Sequence, residues 1–492
     1  MQNRKMKHSL SVLFALLLLA QTGCSSATTE TETKGETTAA TETETVETKE
    51  TPDVPEADYG GTTFDILACG NWGQEWTEIY EFHSEELTGE AINDAVYNRN
   101  LQVSDKFNVE ISEIHHMGNA NGGTGKGLKF VQQSVQAADN LYDLALMCTY
   151  DCSTLAAGGY LLDMMTEVPY IDLSKSWWDQ KAVHDLAIGK KMYYSTGDIT
   201  MIDNECTFCL LFNKQMIEDY SLDDPYTLVK DGTWTIDKFV DMASQVSVDT
   251  NGDGKYTDVD TYGYCIWWEA MGGIIAGSGG RYCDLNEKGE IELTFLNERT
   301  VDALTRFSVL AYDRSLAYSI QHSPDKIEDM FANDQVLFYS RYLCIVKKYR
   351  DMDTDFGILP YPKYEEAQQE YYSSVSSYGC SHICVPVSLA DLEMTGAVTE
   401  YMAAVSKDIV TPAYYEVTIQ GKILRDEESL EMLDIILGGR VFDLGWNYQI
   451  GELYSDTLNM FMKNSTDFVS MYEKKEAQAL EEIAEINAMF VD

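Results

Sequence analysis

Basic residues are scarce: 35 lysines and arginines stand against 81 aspartates and glutamates in 492 residues, a formal charge of −46. Such a surface repels a phosphate backbone, so nucleic acid is not an expected partner. Histidines number seven, and none falls in an HExxH zinc motif. "AGSGG" makes no GxSxG nucleophile elbow, and "GGTGKG" lacks the Ser or Thr that ends a phosphate-binding loop. A glycosidase needs only two placed carboxylates, which so acidic a chain leaves open.

The ends of the chain say where it works. Arg4, Lys5 and Lys7 precede the apolar run "SVLFALLLLA" and then "QTGC". That is a secretory signal, too short to span a bilayer as a mature helix. Thr22, Gly23 and Cys24 resemble the end of a bacterial lipoprotein signal, with Gln21 where an aliphatic residue is usual, so Cys24 is the expected lipidation site. Residues 25–58 are nearly all Thr, Glu, Ser, Ala and Pro. They can bury no core and read as a disordered tether. A domain so tied sits on the outer face of the bacterial cytoplasmic membrane, and a second acyl chain makes such an anchor stable.

Eleven cysteines are present, yet Cys69, Cys148, Cys265 and Cys344 sit in apolar runs where a free thiol behaves as a small hydrophobe. Cys206 and Cys209 lie on an expected strand, an odd offset that sends the sulfurs to opposite faces. Cys380, His382 and Cys384 have no second ligand group in sequence to complete a metal site.

One loop does have metal-ligand spacing. In "VDTNGDGKYTDVDTYG" the oxygens of Asp249, Asn251, Asp253, the Lys255 carbonyl, Thr257 and Asp260 fall at positions 1, 3, 5, 7, 9 and 12 of a calcium loop, with Gly254 at the turn. Asp260 is shorter than the usual glutamate. Before the loop, "TIDKFVDMASQV" has helical periodicity after Thr235, a candidate N-cap. After it, "YGYCIWW" reads as a strand. Helix, loop and strand describe a structural calcium staple rather than a sensor that moves two helices apart.

Residues 59–492 suit two domains. "TTFDILACG", Ala91 to Phe107, "NVEISEI", "LKFVQQSVQAA" and "YDLALMCTY" alternate strand and helix, which predicts an α/β fold with a mostly parallel sheet covered on both faces. From Asp302 onward helices predominate, broken by "QVLFYS" and "DFGILPY".

The lipoprotein-like start, "YDLALM", "GKKMYYSTGD", "LLFNKQMIEDYSLDDPYTLVKDGTWTIDKFVDMA", the acidic loop, "DFGILPYPKYEEAQQEYYSS" and "EYMAAVS" resemble, in their order, the extracellular solute-binding proteins of bacterial ABC importers, family 1, maltose-binding-like. The resemblance runs from about Gly60 to about Val441. It implies a two-lobed periplasmic-binding-protein-like fold, each lobe a sheet flanked by helices, closing about hinge strands. Carried onto this chain it puts lobe 1 at 59–202 plus 325–358 and lobe 2 at 203–324 plus 359–492. It also implies a permease as partner and a receptor rather than an enzyme.

In open α/β sheets ligands bind beyond the carboxyl ends of strands. Three segments meet that condition: "GNWGQEW" with Asn71, Trp72 and Glu75, "TYDCS" with Tyr150 and Asp151, and "WWEAMGGIIAGSGGRY" with Trp267, Trp268, Glu269 and Arg281. Tyr339, Arg341 and Trp446 follow a strand or sit among Gly and Asn. Aromatic platforms beside carboxylate, amide and guanidinium groups suit a sugar, with its apolar faces and hydroxyl rim. The expected ligand is a mono- or oligosaccharide bound by a monomer. The alternatives are a calcium-stabilised surface carbohydrate-active enzyme, a receptor for a peptide or polyamine, and a scaffold lipoprotein.

Overall fold

The computed structural model describes residues 49–70, 81–117, 125–320, 325–420 and 427–490. Cys24 and the signal segment lie outside them. Residues 50–58, the end of the expected tether, are laid on the folded part: Glu50 accepts hydrogen bonds from the Ser176 amide and hydroxyl, and Val54 and Ala57 pack against the core. Two apolar residues within nine are enough to bring the folded boundary forward.

Among the described residues fourteen strands form in chain order: β1 Thr62–Gly70, β2 Val109–Met117, β3 Leu144–Cys148, β4 Phe208–Asn213, β5 Ser247–Val248, β6 Thr261–Trp267 and β7 Cys283–Leu285. They continue with β8 Ile291–Leu293, β9 Ala317–Ile320, β10 Val336–Tyr342, β11 Phe356–Leu359, β12 Ser373–Ser374, β13 Ser381–Cys384 and β14 Arg440–Val441. The first sheet has the order β13-β3-β1-β2, with β2, β1 and β3 parallel and β13 antiparallel at the edge. β3 is buried at every position, as a strand covered on both faces must be. The helices Ala91–Phe107 and Lys126–Ala137 follow β1 and β2, as their periodicity predicts. The first ends on Asn108 in the left-handed region, which asparagine tolerates and which terminates a helix.

The second sheet runs β11-β4-β10-β6-β5, and β9 also pairs with β6. β10, β6 and β9 are parallel; β4 lies antiparallel between β10 and β11, and β5 lies antiparallel to β6. Three short segments lie side by side between the sheets. Thr207 bridges Val375, and β12 pairs with β14. These are the hinge strands. Arg440 in the third of them holds Asp179 of the first lobe and Asp203 before the first crossing.

The lobe boundaries differ from those implied by the resemblance. Residues 325–358, expected to return to lobe 1, carry β10, which lies between β4 and β6 in the second sheet. The true return is β13, only four residues long, followed by the helix Leu392–Gln420 against Ala91–Phe107. "SHIC" is too short to signal a strand by pattern, whereas "QVLFYS" is a plain buried strand that fits either sheet.

All ten cysteines from Cys69 onward are buried and free. His382 is buried, burial pushes its pKa down to about 3, and one of its ring nitrogens faces Thr149 Oγ1 at 3.0 Å. Among the described residues no helix is long and apolar enough to cross a membrane.

The acidic loop joins the helix Ile236–Ser244, capped by Thr235 as expected, to β6. These two elements touch at Gly263, where a Cβ would lie 1.7 Å from the Ala243 carbonyl oxygen. The loop is wound on itself. Asp249 accepts from the Gly252 and Gly254 amides, Asn251 from Asp253, and Asp253 from Lys255. Asp260 accepts from the amides of Thr250 and Thr257. Among the described residues no group of three or more His, Cys, Asp or Glu side chains is arranged to hold a metal ion.

Candidate functional site

The carboxyl ends of β3, β6 and β10 and the segment after β14 meet between the sheets. β6 and β10 are parallel, with Ile266 beside Ser340. That register sets Trp267 next to Arg341, whose guanidinium lies 4.7 Å from the Trp267 ring and 4.8 Å from that of Tyr342. After β6 the chain turns through Trp268–Ala270, and Tyr342 donates to Glu269 Oε2 at 3.1 Å. Ser376 Oγ, on a hinge strand, lies 2.9 Å from the same Tyr342 hydroxyl.

The first lobe supplies Tyr150, in the helix that begins directly after β3. Trp446 donates its indole N–H to the Tyr150 hydroxyl at 2.8 Å and stacks on Tyr454 at 4.0 Å. Tyr454 donates in turn to the Glu269 carbonyl at 3.3 Å. Five of the expected residues, Tyr150, Trp267, Glu269, Arg341 and Trp446, are thus brought into one aromatic cluster built from both lobes.

Its charge is set by Glu269. Desolvation pushes that carboxyl up to about 7, against the Tyr342 hydrogen bond and the Arg341 charge, which pull it down. The phenols of Tyr150, Tyr342, Tyr378 and Tyr454 are all raised, first by burial and next, in part, by the nearby Glu269 charge. Arg341 is committed to Glu328, 3.4 Å away, with Lys348 on the same carboxylate. Trp267, Glu269 and Tyr378 keep partial exposure, whereas Tyr150, Arg341 and Trp446 are buried.

Other expected residues do different work. Asp151 is buried and accepts from the Gly125 amide at 3.1 Å, at the start of the helix Lys126–Ala137. Trp268 faces away from Trp267 and stacks on Phe461 in the core, 5.5 Å between centroids. Tyr339 shares its face of β10 with Arg341 but lies one step deeper, buried against Phe331. Arg281 pairs with Asp185 at 2.9 Å and also approaches Asp284, tying the second lobe to the first outside the cluster. Asn71, Trp72 and Glu75 lie outside the described residues. Tyr342, Tyr378 and Tyr454 were not foreseen. Tyr342 had a readable signal, being the last residue of a strand parallel to β6; the other two had none.

Solved structures share this architecture at low identity. A cyclo/maltodextrin-binding protein complexed with maltotetraose aligns at 13% identity over 86% of this chain and 96% of its own, TM-score 0.54. The maltose-binding periplasmic protein MalE from Listeria monocytogenes, in complex with maltose, aligns at 13% identity over 87% and 97%, TM-score 0.52. An ABC transporter solute-binding protein from Agrobacterium radiobacter K84, in complex with ribitol, aligns at 11% identity over 85% and 98%, TM-score 0.52. The fold is that of the ABC-transporter solute-binding proteins. No family model matches the sequence, and no curated protein matches it significantly. In this solute-binding fold the aromatic cluster lies where the two sheets and the hinge strands converge.

Proposed function

We propose that the chain is a receptor that captures a sugar or a related polyol between its two lobes and delivers it to the permease of an ABC importer. What carries this reading is the cluster itself: Tyr150 from one lobe and Trp267, Glu269 and Arg341 from the other, joined through Trp446 and Tyr454. Aromatic faces beside a few polar groups match the two faces of a sugar ring. Contacts that need both lobes are also what a ligand uses to shift an open population to a closed one. The ligands named for the similar structures, maltotetraose, maltose and ribitol, belong to the same chemistry.

A hydrolase reading is weaker, because it requires two free carboxylates flanking the bond. Of the described candidates, Asp151 is spent on a helix start, which leaves Glu269 alone. The same proposal includes lipidation at Cys24, supported by the signal-like start, and calcium in the loop 249–260, supported by its ligand spacing. Since Asp260 already holds two amides, that ion would add to an existing staple rather than create it.

The test is thermal unfolding of residues 50–492 against neutral sugars and polyols, with a product assay. A solute that raises the midpoint and is recovered intact supports the receptor, since a ligand bound only to the native state stabilises it by mass action. Turnover of that solute, or no shift with any, overturns it.

A further inference from the structure

Within the cluster two polar groups have hydrogen-bonding capacity that no described residue takes up. The Tyr150 oxygen accepts from Trp446, so its own proton must go elsewhere, and no acceptor for it is found among the described residues. Glu269 receives Tyr342 on Oε2, while Oε1 has no hydrogen-bond partner among the described residues. One atom is a donor on the first lobe and the other an acceptor on the second. They are close enough for the Glu269 charge to raise the Tyr150 phenol. The path Tyr150, Trp446, Tyr454, Glu269 links the two groups across the lobes.

A hydroxyl group both donates and accepts, and this pair is its complement. We infer that Tyr150 and Glu269 are the specificity-determining pair of the cleft, closing from opposite lobes on a single hydroxyl of a neutral saccharide or polyol. This rests on the solute-receptor reading above. That hydroxyl accepts from Tyr150 and donates to Glu269 Oε1, so the pair is satisfied only when both lobes engage the same group. An ammonium has nothing to offer the Tyr150 proton and leaves it unpaired, which costs a buried donor its full desolvation. Neutral solutes are therefore preferred over amines, despite the acidic surface.

Binding through an ionised acceptor is linked to protons. The groups facing Glu269 are Tyr150 and Tyr378 from the first lobe and its return, Arg341 and Tyr342 from β10, and Tyr454 from the helix Leu453–Met462. The tyrosines stay protonated and Arg341 charged across neutral pH, so Glu269 alone titrates there. Affinity then weakens as pH falls through about 7, approaching tenfold per unit on the acid side.

The experiment is calorimetric titration of residues 50–492 with a panel of neutral saccharides and polyols that includes maltose, maltotetraose and ribitol, and with glucosamine as the amine probe. It is run from pH 5.5 to 8.5 in buffers of different ionisation enthalpy. The expected result is a neutral ligand that releases up to one proton at pH 6.5 and binds more weakly at low pH. Glu269→Gln should bind about tenfold more weakly at pH 8.5, as a charged hydrogen bond becomes a neutral one, and lose the pH dependence. Tyr150→Phe should weaken binding and keep that dependence. Tyr342→Phe, which removes the protein's own donor to Glu269 together with the contact to Ser376 Oγ, should move the pH midpoint upward. If a panel member binds with an affinity indifferent to pH and to all three folded variants, or glucosamine binds more tightly than every neutral ligand, this inference falls and the receptor stands. If nothing on the panel or glucosamine binds, both fall.

Discussion

Arg440 lies 2.5 Å from Asp179 and 2.9 Å from Asp203, joining the third hinge strand to the first lobe and to the approach of the first strand. Both carboxylates are buried, and burial holds the Asp203 pKa up at about 6 even with the guanidinium beside it. Buried pairs of this kind add little net stability when intact and cost much when one partner is removed. Arg440→Ala should therefore lower unfolding free energy by about 3 kcal/mol, measured by urea denaturation. Arg440→Met combined with Asp203→Asn should recover part of that loss. A single variant as stable as the parent would show that water reaches the hinge and takes the place of the guanidinium.

A second buried carboxylate makes stability depend on pH. Glu400 accepts from the indoles of Trp177 and Trp178 at 3.1 and 2.9 Å and from the Asp172 amide. Burial pushes its pKa up to about 7 regardless. The folded state then binds this proton more tightly than the unfolded chain. Glu400's contribution is complete below about pH 4.5 and is lost as pH rises through 7, at about 1.4 kcal/mol per unit. Glu269 and Asp443 shift in the same direction, so the difference between the parent and Glu400→Gln isolates this residue. That difference in unfolding free energy should change between pH 5 and 7.5, and the tryptophan fluorescence of the parent should titrate near pH 7. Parallel stability profiles would mean that Glu400 stays ionised.

Trp446 serves as both donor and ring. Trp446→Phe keeps a ring against Tyr454 and loses only the bond to Tyr150, for about 1 kcal/mol. Trp446→Ala empties a fully buried site and should cost about 3–5 kcal/mol. Equal losses in chemical denaturation would show that the hydrogen bond, not the packing, holds this segment between the lobes.

Much of the fold was legible because its strands and helices are locally consistent. β1, the helix Ala91–Phe107, the Thr235 cap and β6 all stand where periodicity and capping put them. What local pattern could not convey was pairing. Whether "QVLFYS" joins one sheet or the other depends on partners far from it in the chain, in β4 and β6, and so the lobe boundaries were misplaced. The site shows the same division. A strand end marks a lip, but alternation admits only one of Trp267 and Trp268, and Tyr339, two residues before Arg341 on the same face, lies too deep, against Phe331. Asp151 looked like a ligand group because a carboxylate that caps a helix and one that binds solute are identical in sequence. Tyr454 reaches the cluster from a C-terminal helix that no motif connects to it.

The proposed calcium loop gives the last prediction. Asp249, Asn251 and Asp253 each turn the chain by accepting nearby amides, and Asp260 closes the loop on Thr250 and Thr257. The helix and strand it joins are already in contact at Gly263. A loop so organised needs no ion to fold, and with Asp260 engaged an ion would bind weakly, in the range of about 0.1–1 mM common to extracellular modules. Chelator alone should leave the parent folded with its solute affinity unchanged. Calcium at ten times its Kd should add about 1.4 kcal/mol, read as a rise in the unfolding midpoint, and Asp253→Ala should abolish that rise. A loss of solute binding on chelation would place the loop in the site rather than behind it. A midpoint indifferent to millimolar calcium would leave the loop a staple held by its amides alone.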